Sequence, residues 1–259
     1  MHNLLPYFQE LNRYFDHVYI MTIHRATERH EKLKKVLEGF EYELLFGADN
    51  KEFSIEELKK NGVYDEEKAK SLHRYGKVMN PGMLGCTISH KMCYEAMIRD
   101  GHDRVLIFED DILPEEEGLR LFPQIIKELP ADWGMLYFDY DKNIERPAGG
   151  WLKQQFYHIQ KLLGGITYSH TTINNLYSRP YSPHLRKAGY HDFGSAYAIT
   201  RGTAKKLIEL QTPIAFWSDH LLAYVSSNNI VNAYLTVPKL FVQESQFNKA
   251  VVGSYAEEQ

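Results

Sequence analysis

Two hydrophobic spacings alternate along the chain. Short apolar runs rich in β-branched and aromatic residues read as buried strands, and apolar positions three and four apart read as helices. His17 to Ile23 is the first strand. A helix follows to about Gly39, with Thr27 placed to cap it and Leu33, Val36, Leu37 and Phe40 on its apolar side. Tyr42 to Phe46 is a short second strand ending in the polar turn Gly47-Ala48-Asp49-Asn50. Residues 51 to 78 are charged and weakly helical, and Asn80-Pro81-Gly82 then opens a helix from about Met83 to Arg99. Val105 to Phe108 is a third strand. Beyond it a helical stretch is broken at Pro123, and Asp132 to Phe138 forms a strand that ends at Asp139-Tyr140-Asp141. A strand over Phe193 to Thr200, a helix over Gly202 to Leu210, a strand around Ile230 to Val237 and a loose tail complete the pattern. Alternation of this kind predicts an α/β fold with a largely parallel sheet.

Residues 142 to 190 show no clean period. They hold seven Lys or Arg and one acid, Glu145, with scattered aromatic residues and the pairs Gly149-Gly150 and Gly164-Gly165. A long aromatic segment without periodicity reads as a mobile lobe or lid rather than as disorder.

The 259 residues suffice for one sizeable core, so a single domain over 1–259 is expected. A net charge of -4 argues against a general nucleic-acid binder. No apolar stretch reaches the roughly 20 residues that span a bilayer, and the first residues lack the pattern of a signal peptide. With Cys86 and Cys93 as the only cysteines, a disulfide framework is not expected and a cytoplasmic setting fits.

The chemistry concentrates where the third strand ends, at Glu109-Asp110-Asp111. Three adjacent carboxylates repel one another and are tolerable in water or around a cation. Ligands of open α/β sheets bind at the carboxyl ends of strands. Glu109 and Asp111, two apart in extended chain, would project to one side and share a divalent ion. The plain alternative is a solvated turn before Pro114. The glycine-bearing helix entry from Pro81 to His90 could bring backbone N–H groups to an anion, or could merely pack tightly. Cys86, His90 and Cys93 share a helical face and could hold zinc, although no fourth ligand of the usual spacing appears. Asp139 and Asp141 form a second acid-x-acid pair. Asp219 follows an apolar run, and partial burial would suit it to act as a base; otherwise it is a helix cap.

Together these segments resemble glycosyltransferase family 25, which contains lipopolysaccharide, lipooligosaccharide and procollagen galactosyltransferases. The resemblance runs through Val18 to Arg25 with Arg29, with Thr22 at the place of the usual Asn, and through Gly47 to Asn50. It continues in the Gly-x-x-Gly-Cys-x-x-Ser-His signature of Gly82 to His90, the Glu-Asp-Asp strand end and Phe193 to Leu207, where Ser195 replaces a frequent His. Asp219 falls where the family tends to carry a late Asp. The resemblance implies a GT-A, Rossmann-like nucleotide-sugar fold with an acceptor-side lobe. It implies a UDP-sugar donor, most often UDP-galactose, with Mn²⁺ (or Mg²⁺) at Glu109 and Asp111. Thr22, Arg25, Arg29, Asp49, Gly85, Ser89, His90 and Asp110 would surround the nucleotide sugar. Asp219, or Asp139 and Asp141, would supply the base of an inverting transfer to a glycan, lipid-linked saccharide or protein hydroxyl, with peripheral contact at the inner face of a membrane. Two other readings are a phosphoryl-receiver domain, disfavoured by the βαβα unit that precedes the acidic strand, and a non-catalytic relative that binds sugars.

Overall fold

The computed structural model describes residues 4–247. In chain order it runs α1 Leu5–Tyr14, β1 His17–Thr22, α2 Thr27–Val36, β2 Glu43–Phe46, α3 Ile55–Lys60, α4 Glu66–Leu72, α5 Pro81–Asp100, β3 Arg104–Glu109, β4 Ile112–Pro114 and α6 Glu116–Glu128. Then come β5 Met135–Tyr137, α7 Gly150–Leu162, α8 His170–Asn174, β6 Arg179–Ser182, β7 Leu185–Lys187, β8 Ala196–Thr200, α9 Arg201–Leu210, α10 Ser218–Ser227, β9 Ala233–Thr236 and β10 Phe241–Gln243.

Eight strands form one sheet in the order β2-β1-β3-β8-β5-β9-β7-β6. β1 lies parallel to β2 and β3, and β5 parallel to β9, while β8 runs against both of its neighbours and β7 against both of its own. Six strands therefore point one way, as the α/β alternation predicts, and β8 and β7 point back. One edge of the sheet consequently gathers the carboxyl ends of β1, β2, β3 and β5 and the start of β8. That edge is where an open α/β sheet binds ligands.

Strand residues alternate between two cores. Tyr19, Val105, Ile107, Tyr137 and Tyr197 pack with Cys93, Tyr94, Met97, Leu207 and Leu222 on one face. Val18, Ile20, Leu106, Phe108 and Leu136 pack with Phe8, Leu11, Leu33, Leu119 and Phe122 on the other. Burial on both faces is why these strands read as unbroken apolar runs.

Several local expectations need correction. Thr27 starts α2 rather than capping it, since Ala26 holds the cap position without a side-chain bond, and the helix stops at Val36. α6 continues through Pro123, because Leu119, Phe122 and Ile125 bury its apolar face against the sheet and outweigh one lost backbone bond. The strand expected around Ile230 to Val237 is β9, and the loose tail expected after it holds β10 and a short 3-10 turn as far as residue 247; its remainder lies outside the described residues. Residues 142 to 190 are not an irregular lid. They form α7, α8, β6 and β7, and β7 is hydrogen-bonded into the central sheet beside β9. Ile173, Leu176, Tyr177 and Tyr190 make a core of their own with Ala223 of α10.

A fully buried carboxylate ties the site edge together. Asp139, just past β5, accepts from Tyr140 N–H at 2.8 Å, Ser195 Oγ at 2.8 Å and Gln243 N–H at 2.9 Å, and its Oδ1 lies 2.8 Å from Lys239 Nζ. Burial pushes its pKa up, and Lys239 and Ser195 pull against that shift. Removing one partner of a buried pair strands the other charge. Lys239→Met should therefore lower unfolding free energy by about 3 kcal/mol in urea titrations. Adding Asp139→Asn should recover part of that loss; no recovery would mean the pairing is incidental.

Candidate functional site

A cleft of about 620 Å³ opens at this sheet edge, lined among others by Thr22, Arg29, Asp49, Asn50, Gly82, Cys86, Ser89, Glu109, Asp110, Asp111 and Gln243. A second cavity of about 720 Å³ is lined by Met83, Asp192, Phe193, Gly194, Ser195, Trp217, Ser218 and Asp219. Cys86, Glu109 and Gln243 line both, so the two spaces meet over Glu109.

The three consecutive acids have different fates. Glu109 ends β3, and its Oε2 accepts from Gln243 Nε2 at 3.0 Å while Oε1 lies 3.6 Å from His90 Nε2. Asp110 is buried and bonded to Arg29, and accepts from Thr22 Oγ1 at 2.6 Å. Asp111 is buried with an Oδ1 that has no partner among the described residues, and Ser245 bonds its carboxylate. Burial first, then the charge of Glu109, raises the Asp111 pKa to about 6. Asp110 and Asp111 form a turn between β3 and β4, so a turn, not the alternation of an extended strand, brings Glu109 and Asp111 to one cleft.

The motif on α5 works mainly by packing. A Cβ on Gly85 would stand 2.7 Å from the Ala48 carbonyl oxygen, and one on Gly47 would collide with the Ser89 side chain. Ser89 Oγ donates to the Gly85 carbonyl at 2.8 Å and accepts from Ala48 N–H at 3.0 Å, which clamps the loop 47–50 onto the helix. Gly85 therefore does not face the cleft; the residues that do are Gly82, Cys86 and Ser89. The helix start is capped by Asn80, whose side chain accepts from Met83 N–H at 2.8 Å. His90 is buried behind Glu109, its Nδ1 2.7 Å from the Tyr197 hydroxyl. Arg25 lies outside the cleft lining and donates to Asp49 at 2.7 Å and to Asn50 at 3.0 Å; its bond to Asp49, with the Lys51 N–H, holds the Asp49 carboxyl below the usual range.

The candidate bases separate clearly. Asp219 stands in the first turn of α10 in the second cavity, its Oδ1 accepting from His220 N–H at 2.8 Å. Asp139 is sealed in the core, and Asp141 sits at the surface beside Lys142; neither lines either cavity. Of the two rival bases, Asp139 is saturated with donors and Asp141 stands at the surface, outside both cavity linings. Sequence reasoning missed Asp192, which shares the second cavity with Asp219 and has its pKa raised by burial, with His220 opposing and Asp219 reinforcing. It also missed Gln243 and Lys239. The only sequence signal for Asp192 was its place just ahead of the Phe193 strand.

Among the described residues one group of three side chains could hold a metal. Cys86, His90 and Glu109 have ligand atoms within 4.8 Å of one another, but burial holds the Cys86 thiol in its neutral form. Cys93, the third member of the expected zinc face, is buried in the sheet core instead. The oxygen set of Glu109 and Asp111, with the unpartnered Asp111 Oδ1, fits a hard divalent cation.

An α/β sheet with an acidic cleft at its carboxyl edge defines the class of protein, and comparison identifies the family. Residues 15–222 match the model for glycosyltransferase family 25 (LPS biosynthesis protein), and the chain belongs to that family. A glycosyltransferase 25 family member of Anopheles gambiae is 26% identical over 200 residues, 75% of this chain and 29% of that protein. A probable inactive glycosyltransferase 25 family member 3 of Bos taurus is 23% identical over 207 residues, 76% of this chain and 29% of that protein. The chain thus spans under a third of the length of these relatives. Among solved structures, mouse xyloside xylosyltransferase 1 in its apo form aligns over 83% of this chain and 64% of that chain, at 11% identity and a TM-score of 0.32.

Two outcomes follow. Gly85→Ala should lower Tm, at a cost of about 1–3 kcal/mol, because the new methyl meets a backbone oxygen; an unchanged Tm would refute the packing role. Since the Asp111 pKa is raised, the folded state holds its proton longer than the unfolded chain. Metal-free stability should then fall as pH rises from about 4 to about 6 and stay lowered above that. Asp111→Asn should stabilise the metal-free protein at pH 7 by on the order of 2 kcal/mol and abolish any rise of Tm with MnCl₂.

Proposed function

We propose that the protein is a metal-dependent inverting glycosyltransferase that moves a hexose, galactose in the first instance, from a UDP-sugar to a hydroxyl of a glycan, lipid-linked saccharide or protein. The observation that carries this reading is the charge of the first cleft, in a space that opens beside Asp219. Of its four acids, Asp49 and Asp110 are paired with Arg25 and Arg29, while Glu109 and Asp111 have no Arg or Lys partner among the described residues. Such a cleft takes an anionic diphosphate together with a divalent cation and repels it otherwise. Glu109 and Asp111 would hold Mn²⁺ or Mg²⁺. A bound cation supplies Lewis-acid neutralisation of the leaving diphosphate.

The chain's own residues supply the rest. Arg29 and Thr22 fix Asp110, and Gln243 fixes Glu109, so the acidic turn is positioned before ligand arrives. Asp219 would take the proton of the acceptor hydroxyl, since a single in-line displacement needs one base on the acceptor side. Within the first cleft, Thr22, Arg29, Asp49, Ser89 and Asp110 would line the nucleotide sugar, with Arg25 and His90 acting through Asp49 and Glu109. The lobe over 142–190 would face the acceptor, at the cytoplasmic face of a membrane.

The inactive relatives favour a second reading, a non-catalytic protein that binds nucleotide sugar or glycan. UDP release from UDP-galactose, with and without Mn²⁺, separates the two. Asp219→Asn should lower kcat by about 10²–10⁴-fold while UDP affinity persists, and Asp111→Ala should remove the Mn²⁺-dependent signal. Retained UDP binding with no release from any of a panel of UDP-sugars would establish the second reading.

A further inference from the structure

Helix α7 is amphipathic the wrong way round for a helix of a soluble domain. Its inner side is held by polar and aromatic contacts: Tyr157 lies under the Arg74 guanidinium at 4.4 Å and 6.5 Å from the Tyr168 ring. Gln154 Nε2 donates to the Ile173 carbonyl at 2.7 Å, and His158 Nε2 is 2.9 Å from Asn174 Oδ1. Its outer side carries Trp151, Leu152, Phe156, Ile159 and Leu162, with Leu163 at the end of the helix, each between 55% and 81% exposed. At the angular step of an α-helix these six side chains fall within an arc of about 140°. A contiguous apolar patch of this kind marks an interaction surface.

The charges around the patch select its partner. α7 contains no acid, and its two charged residues are Lys153 and Lys161. The stretch 142 to 190 has seven basic residues and one acid in a chain whose net charge is -4, and Lys153 and Lys161 are the two of them on this helix. A second copy placed on the same face would set like-charged helices against each other. An anionic lipid surface satisfies both features: Trp, Phe and Leu enter the boundary between headgroups and acyl chains, and flanking lysines reach the phosphates.

We propose that α7 is an interfacial helix that seats the protein on an anionic bilayer through Trp151, Leu152, Phe156, Ile159, Leu162 and Leu163. This rests on the peripheral membrane contact proposed above only in giving it a location, and it does not need catalysis. No helix among the described residues is long and apolar enough to cross a membrane, so the contact lies in the surface plane. The inner side of α7 leads toward the acceptor-side cavity: the Tyr168 ring lies 4.8 Å from that of Tyr190, tilted by 45°, and Tyr190 lies 6.4 Å from the His220 ring beside Asp219.

Flotation of the purified full chain with vesicles tests the proposal. Vesicles of three parts phosphatidylcholine to one part phosphatidylglycerol should carry the protein, and phosphatidylcholine alone should carry it weakly. Salt at about 0.5 M should reduce binding without abolishing it. Leu152→Ser/Phe156→Ser/Ile159→Ser should bind at least ~10-fold more weakly with an unchanged Tm, because all three side chains are already exposed. Trp151→Phe should remove a blue shift in fluorescence seen on adding anionic vesicles. UDP release in solution should be the same in the triple variant, so failure of docking and failure of transfer are separate results. Absence of flotation, equal flotation of the triple variant, or a dimer that dissolves in the triple variant without vesicle binding would each overturn the proposal.

Discussion

The functional edge hangs on a single buried carboxylate. Asp139 receives four donors from four separate places in the chain: Tyr140, Ser195, Lys239 and Gln243. Two of these lead directly to the acidic cleft. The Ser195 carbonyl accepts from Glu109 N–H at 2.9 Å, and the Gln243 side chain donates to the Glu109 carboxylate. Glu109, where the two cavities meet, is thus held at its backbone and at its tip by residues that Asp139 fixes. A charge enclosed this fully is costly unless each lone pair is used. Its satisfaction is therefore what lets β10 close against the end of β3.

The second constraint is like charge. Three successive acids share one turn, and the surroundings divide them by purpose. Asp110 is neutralised by Arg29 and becomes part of the wall. Glu109 is shared between Gln243 and His90 and keeps partial exposure. Asp111 retains an unpartnered oxygen and a pKa raised to about 6. Local stability has been given up at Asp111, the kind of site where function is expected to override it.

How much of this could be read in the sequence follows from the range of the forces involved. The doubly buried strands β1 and β3, the α5 entry and the Glu-Asp-Asp strand end were legible, because each rests on a local run of residues. Short strands such as β6, β7 and β10 were not, since three or four residues become a strand only when a distant partner supplies the ladder. α7 was missed because its apolar stripe faces outward and the glycine pairs beside it read as hinges. At the site, Glu109, Asp111 and Asp219 line the two cavities, whereas Asp139 and Gly85 line neither. Nothing in a sequence separates a carboxylate that lines a cleft from one that is saturated by Lys239, which lies a hundred residues later along the chain.

The pairing of Arg25 with Asp49 and of Arg29 with Asp110 bears on how the cleft would take a diphosphate. A guanidinium already bonded to a carboxylate contributes little net positive potential, so these two arginines order the walls rather than neutralise a ligand. On the proposed reading a bound cation would supply the positive charge for a diphosphate, and the unpartnered oxygen of Asp111 is where it would be received. In the adjoining cavity the same logic divides two acids. Burial and the charge of Asp219 both favour the protonated form of Asp192, with His220 opposing. On the proposed reading Asp219 faces the acceptor hydroxyl, and Asp192 lines the same cavity beside it.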